Sequence, residues 1–258
     1  MRIRTSEDIE EASRIWSEIW PEEDLFGSWE VRKAFHDSYR RRPLFLIAEN
    51  GMRLRGFLAL SHIGEEGYYG AFPGETWNGR TWLEQNRIPA DSGHVVRALW
   101  EEAPQSTVLR YLHPDDASLL GDTVVDETGY LFEPARYGFS FDDYWNGFSG
   151  KSRKKLAREL EAFGSFQCGP SDRAAADIEC MLRMNLSSFG SLSYFSDERF
   201  SSGFESMLSL LSSSGRLAVT SVRVRGRNAA VDVAAVSGRS YTVLAGATSP
   251  EYPGVAKL

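Results

Sequence analysis

Two stretches of this chain pass through the same order of elements, which constrains it to fold as two copies of one domain type. Leu44–Glu49, Gly56–His62 and Gly67–Phe72 read as three short strands that close on Pro73-Gly74. Arg216–Val224, Asn228–Val236 and Ser240–Ala247 read the same way and close on Pro253-Gly254. Each trio follows two helical segments. Residue identity between the copies is low, so the repeat is carried by pattern and order. Strands in consecutive hairpins, flanked by helices, predict an α+β protein with mixed, mainly antiparallel sheets.

A chain of 258 residues fits two ordinary domains, and its 42% hydrophobic share is compatible with packed cores. The net charge of −7 argues against a general nucleic-acid binder. Cys168 and Cys180 are too few for a disulfide framework or a zinc site, which predicts reduced thiols in a cytoplasm. No apolar run approaches the ~20 residues that span a bilayer. The N-terminus lacks the apolar core of a signal peptide.

Ser6 is the expected cap of a first helix carrying Ile9, Ala12, Ile15, Trp16 and Ile19, with Pro21 ending it. A second helix is predicted over Ser28–Tyr39, and Asn50-Gly51 marks a tight turn inside the first trio. Beyond Gly74 the pattern gives a helix at His94–Glu102, a strand at Thr107–Leu112, a short helix at Asp115–Leu120 and a strand at Tyr130–Phe132. Glu133-Pro134-Ala135-Arg136 is the expected boundary, giving domains 1–135 and 136–258. The second half should run through a strand at Tyr137–Phe141, one long helix at Asp142–Phe163 and a strand at Phe166–Cys168. Two amphipathic helices follow, marked by Ile178, Met181, Leu182 and Leu186, then by Phe200, Phe204, Met207, Leu208 and Leu211. A complete second copy would need roughly 50 more residues by typical domain size, so the second domain is expected to be C-terminally truncated.

A strand, two helices, then an antiparallel trio running into a glycine and a helix resembles the GNAT acyltransferase fold. Two such domains in tandem resemble the Fem-type aminoacyltransferases and their peptidoglycan-bridge-like relatives. Lys151-Ser152-Arg153-Lys154-Lys155-Leu156 is similar to that family's Lys-x-Arg-x-x-(Ile/Leu) helix. Tyr241…Tyr252-Pro253-Gly254 is similar to its aromatic strand leading to a Pro-Gly helix start. The resemblance implies two tandem GNAT-like domains and N-acyl transfer to an amine. The donor it implies is acyl-CoA, such as acetyl-CoA, with aminoacyl-tRNA as the alternative. It also implies that main-chain amides at Gly254, Val255 and Ala256 face a donor phosphate, since a helix start suits anions. The general loop (Arg/Gln)-x-x-Gly-x-(Gly/Ala) is not present; Pro253-Gly254-Val255-Ala256 keeps a glycine and a small residue.

Arg153 shares a helical face with Leu156, Leu160 and Phe163, so it should point toward packed surface and need an anionic partner. The resemblance makes that partner a substrate phosphate or carboxylate; the alternatives are an internal ion pair with an Asp or Glu, or a side chain that snorkels to water. Asp232 interrupts the apolar strand Ala229–Val236 and is the proton-acceptor candidate, or else the partner of a nearby arginine such as Arg153, or a carboxylate satisfied by backbone donors. Tyr241 and Tyr252 are candidates to line the acyl channel or orient substrate, against ordinary core or rim roles. Gly150-Lys151-Ser152 lacks the upstream glycine of a P-loop. Arg223-Val224-Arg225-Gly226 is similar to a coenzyme A loop but falls in a hairpin turn. His36, His62, His94 and His113 show no metal-ligand spacing, and no metal is expected. The reading is an N-acyltransferase for a small-molecule or peptide amine, with no membrane span and no nucleic acid unless a tRNA donor is used. The alternative is a non-catalytic relative that keeps the cleft as a binding module.

Overall fold

In the computed structural model the order β-α-α-β-β-β occurs twice, and each time the four strands lie in the sheet in chain order. The structure describes residues 1–20, 24–121, 123–125 and 129–255. The first copy runs β1 Arg2–Ser6, α1 Ile9–Ile19, α2 Trp29–Tyr39, β2 Arg42–Asn50, β3 Arg53–Ile63 and β4 Tyr68–Ala71. After it come α3 Gly93–Glu101, α4 Pro114–Ala117, α5 Phe141–Asn146 and α6 Gly150–Ala162. The second copy is β5 Phe166–Pro170, α7 Ala174–Phe189, α8 Glu198–Ser213, β6 Leu217–Val224, β7 Arg227–Ser237 and β8 Ser240–Thr248. The expected α+β class of two mainly antiparallel, helix-flanked sheets is what the chain forms.

Two compact units divide the chain. One comprises Met1–Thr123, Phe189–Leu217 and Ala234–Thr242; the other comprises Val124–Ser188, Ala218–Val233 and Val243–Leu258. In the first unit, alternation along β2 buries both faces of the sheet. Phe45 and Ile47 join Phe57, Phe72, Ala12 and Trp16 on the α1 side, while Leu46 and Ala48 join Leu58, Leu60, Val95 and Leu99 on the α3 side. Each such side chain contributes about 1.5–3 kcal/mol by burial. Arg32 is 1% exposed, and its guanidinium donates to the carbonyls of Phe26, Phe72 and Glu84 and to Asn86 Oδ1. Burial lowers its pKa to about 10, so it remains a cation at neutral pH, solvated by backbone rather than water. The same unit includes α8, which meets α2 where Gly203 lets the helix approach Phe35; a Cβ there would lie 2.7 Å from the ring.

The second unit is organised around a buried carboxylate. Asp177 of α7 is 1% exposed and accepts from Ser171 Oγ (2.6 Å), Asn228 Nδ2 (2.7 Å) and Arg223 Nη2 (3.0 Å). Desolvation alone would raise its pKa, but the hydrogen bonds of Ser171, Asn228 and Arg223 outweigh that and hold it below its ordinary 3.8. Arg223 and Asn228 flank the two-residue turn Arg225-Gly226, where both residues have positive φ (52° and 77°), the pattern that suits strand twist in a hairpin.

Several local expectations are corrected. The cap of α1 is Asp8, whose Oδ1 accepts from Glu10 N and Glu11 N, while Ser6 ends β1. Pro21 lies outside the described residues. The turn between β2 and β3 is Gly51-Met52, with Asn50 paired to Arg53. Thr107–Leu112 makes only isolated bridges to Tyr69 and Asn86, and Tyr111 has φ 50°, which interrupts a strand. Tyr130–Phe132 is exposed and forms no strand. Tyr137–Phe141 is a reversal rather than a strand, since Gly138 and Phe139 both have positive φ. The single helix expected over Asp142–Phe163 is two. The chain leaves α5 at Gly147, and Ser149, in an extended conformation, caps α6 by accepting from Ser152 N at 3.1 Å.

Two stability outcomes follow from this packing. Gly203→Ala should destabilise by about 1–3 kcal/mol, because an aromatic ring must move to admit the methyl group; chemical denaturation measures it. Asp177→Ala should cost about 3 kcal/mol or more by orphaning the buried partners. Because the folded pKa of Asp177 is depressed, its contribution is present above 3.8 and is lost as pH falls through the lower folded value. The variant should therefore show a shallower acid dependence of its urea midpoint than the wild type.

Candidate functional site

The end of the second trio forms a groove. After β8, Ser249 N donates to Ala229 O at 2.7 Å, and the chain turns through Glu251, Tyr252, Pro253 and Gly254. This turn, with Val224, Arg225, Glu159 and Phe163, lines a groove of about 490 Å³. Its floor is a small core of Val222, Val224, Ala229 and Val255, with Phe163 and Tyr252 packed against it. Gly254 has φ 87°, a conformation that side chains disfavour, and its Cα is approached by the Phe163 ring; a Cβ would lie 3.8 Å from Cζ.

The structure therefore brings Tyr252 and Gly254 together, as candidates for substrate and donor contact. Val255 is placed differently from expectation: its side chain is 2% exposed, and its amide donates to Tyr252 O at 3.2 Å. Ala256 lies outside the described residues. Arg153 is half-buried on α6 and donates to Asn146 Oδ1 at 2.6 Å, so its partner is a neutral amide at the end of α5. Tyr241 opens β8 and is 54% exposed. Strand alternation turns it to the opposite face from Gly246, further along the same strand. Arg153 and Tyr241 are not among the groove's lining residues.

Asp232 is the candidate whose surroundings carry chemistry. It sits on β7 between the buried Val231 and Val233, and across from it on β8 is Gly246. A Cβ at Gly246 would overlap Asp232 Oδ1 and lie 3.4 Å from its Cγ, so the carboxylate rests on the bare backbone of the next strand. No hydrogen bond or ion pair to Asp232 occurs among the described residues. The residue is exposed, and partial desolvation raises its pKa above 3.8. An unpaired carboxylate with a raised pKa is competent to accept a proton. Asp232 lies about 10 Å along β7 from Ala229 at the ~3.3 Å rise of a strand, and the odd spacing turns its side chain to the opposite face of the sheet from Ala229.

Arg225 is the groove residue that sequence reasoning set aside. It lies in the hairpin turn between β6 and β7 and meets the groove from the wall opposite Gly254. No hydrogen bond or ion pair involves it among the described residues, which leaves a cation beside Gly254. The signal was the Arg-Val-Arg-Gly turn itself, whose fold placement only tertiary structure reveals. Among the described residues no His, Cys, Asp and Glu side chains gather into a metal-sized group, and no helix is long and apolar enough to cross a membrane.

Residues 150–256 match the family described as "Acetyltransferase (GNAT) domain". Among solved structures, FemX is similar over 98% of this chain and 81% of its own, with a TM-score of 0.51 at 12% identity. A conserved protein of unknown function from Bacteroides thetaiotaomicron aligns over 99% of this chain and 83% of its own, at 11% identity and a TM-score of 0.49. No curated protein matches the sequence.

The environment of Asp232 sets a stability outcome. A raised folded pKa means that the native state binds the proton more tightly, so stability falls as pH rises through the folded value. Asp232→Asn should therefore melt no lower than the wild type at pH 7, and scanning calorimetry would detect a loss if the carboxylate were a structural partner. A carboxylate kept without a partner stands in the segment, residues 150–256, that matches the GNAT acetyltransferase family model, within a chain whose fold is similar to that of FemX.

Proposed function

We propose that the chain transfers an acyl or aminoacyl group to an amine by direct attack on an activated donor. The 1–135 copy is assigned to support and acceptor binding, and the 136–258 copy to the donor. The observation that carries the reading is an unpaired Asp232 carboxylate on β7, in the segment that matches the GNAT family model and in the same sheet as a groove bearing an unpaired Arg225. Arg225 and the backbone at Gly254 would hold donor phosphates, and Tyr252 would flank the chain that links phosphate to acyl group. The groove suits acyl-CoA as donor, and aminoacyl-tRNA presents the same phosphate chemistry. The donor, when bound, supplies an activated acyl carbonyl. Asp232 would take the proton that the amine nitrogen loses as its bond to the acyl carbon forms, while the acyl carbon's bond to the donor's sulfur or ribose oxygen breaks and the donor leaves as the protonated thiol or hydroxyl. Positioning two reactants supplies much of such a rate, so no covalent nucleophile is required. Arg153 and Tyr241 would contact the acceptor or donor only through groups that bridge from their observed places.

A second reading, a binding module without catalysis, draws on one observation. The Val255 amide is already used by Tyr252 O and so is not free for a phosphate.

Calorimetric titration with acetyl-CoA and with aminoacyl-tRNA, followed by labelled acyl transfer to a panel of primary amines, distinguishes the two. The expected outcome is donor binding, weakened roughly tenfold by Arg225→Ala for loss of about 1.4 kcal/mol of charge-assisted contact. Asp232→Asn should lower kcat by roughly 10²–10⁴-fold while leaving donor affinity in place. If neither donor binds, the enzyme reading fails and the binding-module reading stands.

A further inference from the structure

The proton acceptor is not set by Asp232 alone. We propose that Gly246 of β8 is the positioning residue for this site: its missing side chain forms the seat that holds the Asp232 carboxylate against the backbone of the neighbouring strand. This deepens the acyltransfer reading and rests on it for its functional meaning.

The argument begins with the strands. On neighbouring antiparallel strands, side chains that face each other share a side of the sheet, with Cβ atoms about 4.5–5.5 Å apart. A residue with any side chain at 246 would meet Asp232 in that space and turn it outward. Glycine leaves the space open, and the carboxylate leans toward it, with Oδ1 close enough to overlap the Cβ that an alanine would carry. Gly246 is not in the left-handed φ region and no turn requires it. Glycine within a strand weakens the strand and often marks a close approach by another group. Here the group that approaches is the carboxylate.

The seat has a chemical consequence. Asp232 has no hydrogen-bond donor or cation around it among the described residues, and desolvation is the sole cause of its shifted titration. Its basicity therefore depends on how closely it lies on β8. An amine acceptor is an ammonium at neutral pH and must lose a proton before its nitrogen can attack. A partly desolvated carboxylate first attracts that ammonium and then accepts its proton, and both effects weaken when the carboxylate swings into water.

Gly246→Ala tests the proposal. The overlap falls on the far end of a flexible side chain, so the variant should fold, with unchanged circular dichroism. The readout is the titration of the Asp232 carboxyl carbon, followed by NMR in wild type and Gly246→Ala, with Asp232→Asn used to assign the signal. The expected result is that the Asp232 midpoint moves down toward 3.8 in the variant. An unchanged midpoint in a folded Gly246→Ala protein overturns the proposal. Should Gly246→Ala fail to fold, Asp232→Glu with Gly246 unchanged carries the carboxylate past the seat: its midpoint should lie near the ordinary carboxylate value, and a midpoint raised as far as that of Asp232 overturns the proposal. This titration needs no donor or acceptor, so it is independent of whether acyl transfer is found. Where transfer is found, Gly246→Ala should lower kcat and shift the acidic limb of its pH profile, with donor KM unchanged. A loss confined to donor KM counts against the positioning role.

Discussion

The carboxylate of Asp177 is the point from which the second unit is built. It is fully enclosed, and it is shared by Ser171 before α7, by Arg223 near the end of β6 and by Asn228 at the start of β7. A buried charge is tolerated only when it is well solvated by donors, and here those donors come from three separate pieces of chain. Arg223 and Asn228 stand on either side of the Arg225-Gly226 turn. The same carboxylate that ties α7 to the sheet therefore fixes the turn that presents Arg225 to the groove.

Much of the architecture was legible because strand and helix periods are local. The trios, α2, α3, α7 and α8 all appear within a few residues of expectation, since alternation and 3.6-residue spacing reflect burial directly. The misreadings fall where hydrophobic residues occur without burial. Tyr130, Leu131 and Phe132 look like a strand by composition but are exposed, and Phe139 takes a positive φ in a reversal. Periodicity also ran through Gly147-Phe148-Ser149, although a serine cap two residues beyond a glycine is a start signal of its own. The family resemblance in the strand–helix order was sound, while its site residues separated: Tyr252 and Gly254 meet, and Arg153 and Tyr241 lie elsewhere. Asp232 was visible as a break in an apolar strand. Its lack of a partner and its contact with Gly246 were not, because both depend on the neighbouring strand.

Asp177 and Asp232 illustrate two uses of one side chain. Asp177 is surrounded by donors, its pKa is depressed, and its charge supports the fold. Asp232 has no donor, its pKa is raised, and its charge works against the fold at neutral pH. The difference is made by what faces each carboxylate: hydroxyl, amide and guanidinium in one case, a bare glycine backbone in the other. Sites that perform proton transfer tend to be found where stability is given up in this way.

The membership of α8 in the first unit has a consequence for how the chain is made. Phe35 of α2 is completely buried, and Phe200 and Gly203 of α8 form part of its enclosure. During synthesis those residues leave the ribosome long after β1–β4 are available. The earlier segment must wait with an aromatic surface uncovered until about 130 further residues have been added, from Ala71 to Gly203, roughly 7–26 s at ~5–20 residues per second. Such an interval favours a chaperone-held nascent chain over stepwise completion of the first copy on its own.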